Sequence, residues 1–223
     1  MDTQTQPTLF SHDALLEFTE AVFRTVRIPE KDATTAAQVL LSSDLRGIDS
    51  HGIARLGAYA KAIAGGAVNP NPNIAVVRET ASTAQIDGDL GLGLVVGPKS
   101  NEIAMEKAAS CGSGWVAVRN SNHYGIAGYY PLQALDRDMI GFSMTNASPL
   151  VTPHLGAEKM LGTNPLAVAF PGAEEPPVVI DMATSVVAYG KIEMAMRRGA
   201  SIDPAWAIDS KGEATANAQA VRD

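Results

Sequence analysis

The chain has little with which to build a disulfide, hold a metal or attract a polyanion. Cys111 is the single cysteine in 223 residues, so no internal disulfide can form, and a reducing compartment, the cytoplasm, is expected. Basic residues are outnumbered, 17 Lys and Arg against 24 Asp and Glu, and the net charge of −7 gives no field for phosphates or an anionic membrane. Neither nucleic acid nor membrane is therefore an expected partner. Long apolar runs are missing too: the longest uncharged stretch, 139–157, carries Asn146, Pro149, Pro153 and His154 and cannot span a bilayer. The start, 1–8, is polar and lacks the charged-then-apolar pattern of a signal peptide. No two of His51, His123, His154 and Asp181 share a metal-ligand spacing, and there is no Cys-x-x-Cys, so no metal is expected. A Gly-x-Ser-x-Gly elbow is also absent, which removes the usual serine hydrolase.

What is present suits a folded core, with 46% apolar and 18% charged residues. The first third reads as helical. Ser11 can cap a helix burying Leu15, Phe18, Val22 and Val26; a second helix from about Asp32 buries Ala36, Leu40, Leu41 and Leu45; and Ser50 can cap a third, ending at Gly65-Gly66. Residues 69–72, Asn-Pro-Asn-Pro, read as a connector, which sets the expected division: a helical region over 1–68 and a sheet domain over 69–223. Beyond it, short apolar runs at 74–77, 83–86, 115–118, 140–144, 166–170 and 178–180 predict strands, interleaved with helices over 98–109, with Pro98 in its first turn, and 126–138. The pattern is that of an α/β protein with a mixed sheet. Residues 200–223 are polar and small, either a flexible tail or a stop in mid-architecture.

Four segments could carry chemistry. In the first, Ser50-His51-Gly52 with Arg55 and Tyr59, four-residue steps would place imidazole, guanidinium and phenol along one helix stripe, suited to a small carboxylate; an ordinary exposed face is the plainer reading. In the second, Asn120-Ser121-Asn122-His123-Tyr124-Gly125, the polar side chains follow a strand, where sheet-end ligands bind, and His123 could act as a general base; a self-satisfied polar turn is the alternative. Gly162-Thr163-Asn164-Pro165 and Asp181-Met182-Ala183-Thr184-Ser185 offer small or hydroxyl side chains at strand ends, and each alone is most simply a turn. Gly91-x-Gly93-x-x-x-Gly97 is one residue too long for the dinucleotide fingerprint and has no acid about 20 residues on; close packing against the next helix explains it better.

Taken in order, these four motifs resemble those of the malate/L-lactate dehydrogenase family, from about Leu9 to the last residue. The resemblance implies a fold outside the Rossmann class, NAD or NADP as cofactor, a small 2-hydroxy or 2-oxo acid as substrate, and a homodimer. By position, His123 with His51 matches the catalytic pair. Arg55, Tyr59 and Ser50 match the substrate contacts. Asn122, Asn146, Ser148, Thr163, Asn164, Asp181, Met182 and Ala183 match the cofactor contacts. Family chains continue into a segment with a Lys-Gly-Tyr-Gly-like motif. The chain is therefore expected to be truncated, and an inactive fragment that only binds ligand is the competing reading. A metal-dependent hydrolase is the third.

Overall fold

The computed structural model describes residues 9–221. The chain divides into two compact units, the first running to Gly125 and the second from Ile126. The division does not fall at the Asn69–Pro72 connector, because a helix before it, Glu30–Leu45, packs on the helix Gly93–Cys111 after it.

In the first unit, α1 (His12–Thr25) starts at Ser11, whose hydroxyl accepts the Ala14 amide at 3.2 Å, as its sequence predicts. Its inward stripe is Thr19 and Phe23; Phe18, expected inside, is 56% exposed. Pro29 precedes α2 (Glu30–Leu45), where Ala33, Ala36 and Ala37 let α1 approach closely. Leu45 is exposed, against expectation, because α2 is ending there. After two short 3-10 turns comes α3 (Leu56–Ala64), then β1 (Ala75–Glu79), β2 (Thr83–Gly91), α4 (Gly93–Cys111) and β3 (Trp115–Ser121). β2 pairs antiparallel with β1 and parallel with β3, which makes the sheet mixed. Alternation buries Ala84 and Ile86 of β2, the strand against which α4 packs.

α4 begins five residues before Pro98, which therefore lies inside the helix rather than in its first turn. The glycine-rich stretch supplies that first turn. A Cβ on Gly93 would strike the backbone carbonyls of Asn122 and His123, so close packing is what this glycine allows.

The second unit holds α5 (Tyr129–Leu135), shorter than the 126–138 expected, with β4 (Gly141–Met144), β5 (Leu166–Phe170), β6 (Val178–Met182) and α6 (Tyr189–Arg198). The strands form an antiparallel sheet in the order β4-β5-β6. Ala167 and Ala169 are buried on the face that α5 approaches, while Phe142, Met144, Ile180 and Met182 are exposed on the other. α6 was not anticipated from the sequence. Its Ile192 forms a small core with Ile202 and Ala218, so residues 200–221 are packed chain with two short 3-10 turns rather than a tail. Among the described residues no helix is long and apolar enough to cross a membrane.

Candidate active site

The third helix does not begin at Ser50. Residues Asp49–His51 and Ile53–Arg55 form successive 3-10 turns separated by buried Gly52, and α3 starts only at Leu56. The cause lies in α2. The Asp44 carboxylate accepts the Ile53 amide at 2.8 Å and fills the space where a Cβ on Gly52 would sit. Ser50 caps no helix; its hydroxyl pairs with His51 Nδ1 at 2.9 Å. Arg55 Nε donates to the Ser50 carbonyl at 3.0 Å, which closes the turn. A folded loop, not one helical stripe, brings His51, Arg55 and Tyr59 together.

His123 comes from the loop after β3. Tyr59 Oη lies 2.6 Å from its Nδ1, although the two residues are 64 apart in sequence, and the Gly125 amide reaches the same nitrogen at 3.2 Å. Gly125 adopts φ of +81°, a backbone setting that glycine tolerates best. The His51 and His123 rings stack with centroids 5.6 Å apart and planes inclined by 25°. Both imidazoles are held neutral. Burial lowers His51 from 6.5 to about 4, with Arg55 adding to the effect. Desolvation also lowers His123 to about 4, followed by the charges of His51 and Arg55. His123 nevertheless keeps an exposed surface, which limits how far desolvation alone can move it; the Arg55 guanidinium acts in the same direction. Burial raises the Tyr59 phenol far above its ordinary value, so it stays protonated. A guanidinium beside two neutral imidazoles and a phenol is chemistry for binding a small anion and exchanging a proton with it.

Asp44 was not singled out from the sequence. A carboxylate one residue from the C-terminus of α2 faces the unfavourable end of the helix dipole, and that misplacement is the signal that could have found it. Burial raises its pKa, the Ile53 amide opposes the rise, and Asp49 pushes it further up.

The remaining candidates divide between the units. Asn122 lies in the first, its Nδ2 donating to the carbonyls of Leu90 at 2.7 Å and Gly91 at 3.1 Å; it ties the His123 loop to the end of β2. The rest belong to the second unit, where the end of β4, the start of β5 and the end of β6 lie side by side. Asn164 Oδ1 accepts the Ala147 amide at 3.0 Å, which holds the loop of Asn146 and Ser148 against that of Thr163. The Thr184 amide and hydroxyl both reach the Thr163 carbonyl. Asp181 Oδ2 accepts the Gly128 amide at 2.8 Å, where a Cβ on residue 128 would collide with the carboxylate. Asn146, Ser148 and Met182 are exposed and Ala183 is partly so. This shelf of amides, hydroxyls and small residues around the exposed thioethers of Met144 and Met182 has the polar edges and apolar surface that a nucleotide cofactor would need. An open depression of about 370 Å³ beside α6 has no ionisable lining group and contains none of these residues. Among the described residues no three His, Cys, Asp or Glu side chains group as a metal would require.

The fold is a mixed α/β one, with a two-histidine, one-guanidinium cluster in the first unit and a polar strand-end shelf in the second. The chain belongs to the malate/L-lactate dehydrogenase family, whose model matches residues 10–223. It is 51% identical over 209 residues to a malate dehydrogenase of Pyrococcus abyssi, covering 94% of this chain and 58% of that one. To an L-sulfolactate dehydrogenase of Methanocaldococcus jannaschii it is 47% identical over 194 residues, covering 87% and 56% respectively. The crystal structure of malate dehydrogenase from Entamoeba histolytica superposes with a TM-score of 0.94 at 38% identity, covering 97% of this chain and 60% of the other. The chain thus spans a little over half the length of the relatives it matches.

Proposed function

We propose that the protein is an NAD- or NADP-dependent oxidoreductase that interconverts a small 2-hydroxy acid and its 2-oxo form. The observation that carries the reading is the Tyr59–His123–His51 cluster with Arg55 beside it, in a chain whose relatives are named malate and sulfolactate dehydrogenases. Arg55 pairs with the substrate carboxylate through its planar fork, with Ser50 and His51 beside it. When bound, a nicotinamide would supply hydride chemistry at the carbon bearing the oxygen. His123 handles the proton: on oxidation of the hydroxy acid the O–H bond breaks and its proton passes to the imidazole, and on reduction it returns. Asn146, Ser148, Thr163, Asn164, Asp181, Met182 and Ala183 would hold the cofactor, with Asn122 bracing the His123 loop. The lone cysteine favours a reducing compartment, the cytoplasm, and the family resemblance favours a homodimer.

Absorbance at the reduced-nicotinamide band, with NAD or NADP and malate, lactate or sulfolactate, tests the activity. Oxidation of at least one acid is the expected result. Cofactor quenching of tryptophan fluorescence without turnover would replace it with a binding role only. Arg55→Lys is expected to raise KM roughly ten- to a hundredfold with kcat little changed, since a point charge replaces a two-pronged, charge-assisted contact. An unaltered KM would remove Arg55 from the substrate site.

A further inference from the structure

We propose that Tyr59 is a positioning residue for His123 rather than a substrate contact: with the Gly125 amide it commits the neutral imidazole to the Nε2–H tautomer, so that His123 meets its ligand as a hydrogen-bond donor. The inference rests on the oxidoreductase reading for the ligand's identity but not for the tautomer itself. A backbone N–H can only donate, and Gly125 points its own at Nδ1 from 3.2 Å, a long contact that favours the lone pair on that nitrogen without fixing it. Tyr59 is buried, its hydroxyl is 2.6 Å from the same nitrogen, and its phenol stays protonated, so it donates there as well. The imidazole is neutral in the free protein, with His51 stacked on it and Arg55 close by, and the tautomer is therefore the variable that decides what it offers. Nε2–H complements the carbonyl oxygen of a 2-oxo acid. A 2-hydroxy acid can accept from that N–H through its hydroxyl oxygen, but for Nε2 to take its O–H proton the imidazole must first shift its own proton to Nδ1, with the Tyr59 hydroxyl turned to accept and the Gly125 contact given up. The free site is thus matched to the oxo acid.

Long-range proton–nitrogen NMR correlation of the histidine ring, on the full chain at neutral pH, reads the tautomer without any need for activity. The wild type is expected to show Nε2–H, and Tyr59→Phe to show a mixture of the two forms. A wild-type ring in the Nδ1–H form overturns the proposal, as does a Tyr59→Phe ring with unchanged tautomer. In steady-state reduction of the oxo acid, Tyr59→Phe should lower kcat roughly tenfold, about the worth of one hydrogen bond, with KM within about twofold of wild type. A raised KM at unchanged kcat would make Tyr59 a substrate contact after all. If no acid is turned over, the oxidoreductase reading fails while the NMR result still decides the tautomer.

Discussion

The two polar clusters are built differently. In the first unit, besides ties to backbone, side chains hold side chains: Tyr59 on His123, His123 on His51, Ser50 on His51, in surroundings that shift their titration. In the second, side chains hold backbone: Asn164 takes the Ala147 amide, Asp181 the Gly128 amide, and Thr184 bonds to the Thr163 carbonyl, around residues that stay exposed. Proton chemistry needs a desolvated group whose charge state neighbours control. Holding a large cofactor needs a preformed shelf with small residues and polar edges. On the proposed reading, the first cluster is where a proton moves and the second is where the cofactor rests.

The largest test of that contrast is His123→Ala. Turnover should fall by about 10²–10⁴ while cofactor affinity stays near wild type, because only acid–base chemistry is lost. Turnover at the wild-type rate would strip the first cluster of its role. Next comes Gly52→Ala. The added methyl meets the Asp44 carboxylate, and overpacking should cost about 1–3 kcal/mol in denaturant unfolding and also weaken substrate binding. Gly162→Ala is the counterpart in the second unit, its methyl meeting the Ala147 carbonyl and Asn164 Oδ1. The neighbouring loops are partly exposed and can shift, so a loss of about 1 kcal/mol is expected, with cofactor affinity falling and the His123 tautomer unmoved. Should Gly52→Ala and Gly162→Ala each impair both ligands equally, the division of labour is wrong.

The smallest effect is a pH slope. An unfolded chain titrates His51 and His123 near 6.5, whereas the fold lowers both to about 4. Between those values the unfolded state binds more protons, so stability declines as pH falls from about 6.5 toward 4; above 6.5 the two histidines contribute no slope. Asp44 works against this, since its raised pKa returns stability once it protonates. Denaturant midpoints at pH 7, 6 and 5 should fall more steeply for the wild type than for a His51→Gln, His123→Gln double variant. Identical slopes would show that the imidazoles are not held neutral by the fold.

Much of the architecture was legible from neighbouring residues. All six strands lie where apolar runs bounded by Gly, Pro or Asn predicted them, and Ser11 caps α1 as its position suggested. The misreadings share a cause. Phe18 and Leu45 have the spacing of buried residues, but which stripe faces inward depends on the partner helix. The Ser50 helix start failed because Asp44, from another element, captures the Ile53 amide. α6 has no side-chain cap to mark its start, and its Ile192 finds its buried partners beyond the helix, at Ile202 and Ala218.

The sequence by itself determined the succession of helices and strands and the four motifs that carry the family likeness, since hydrophobic period, caps and turn residues act over a few positions. Only the tertiary structure decided what those motifs do for one another: that Tyr59 serves His123, that Gly125 occupies its Nδ1, and that Asp44 folds the turn bearing Arg55. A hydrogen bond between distant residues depends on how whole elements pack, and packing is a property of the assembled chain, which no local pattern encodes.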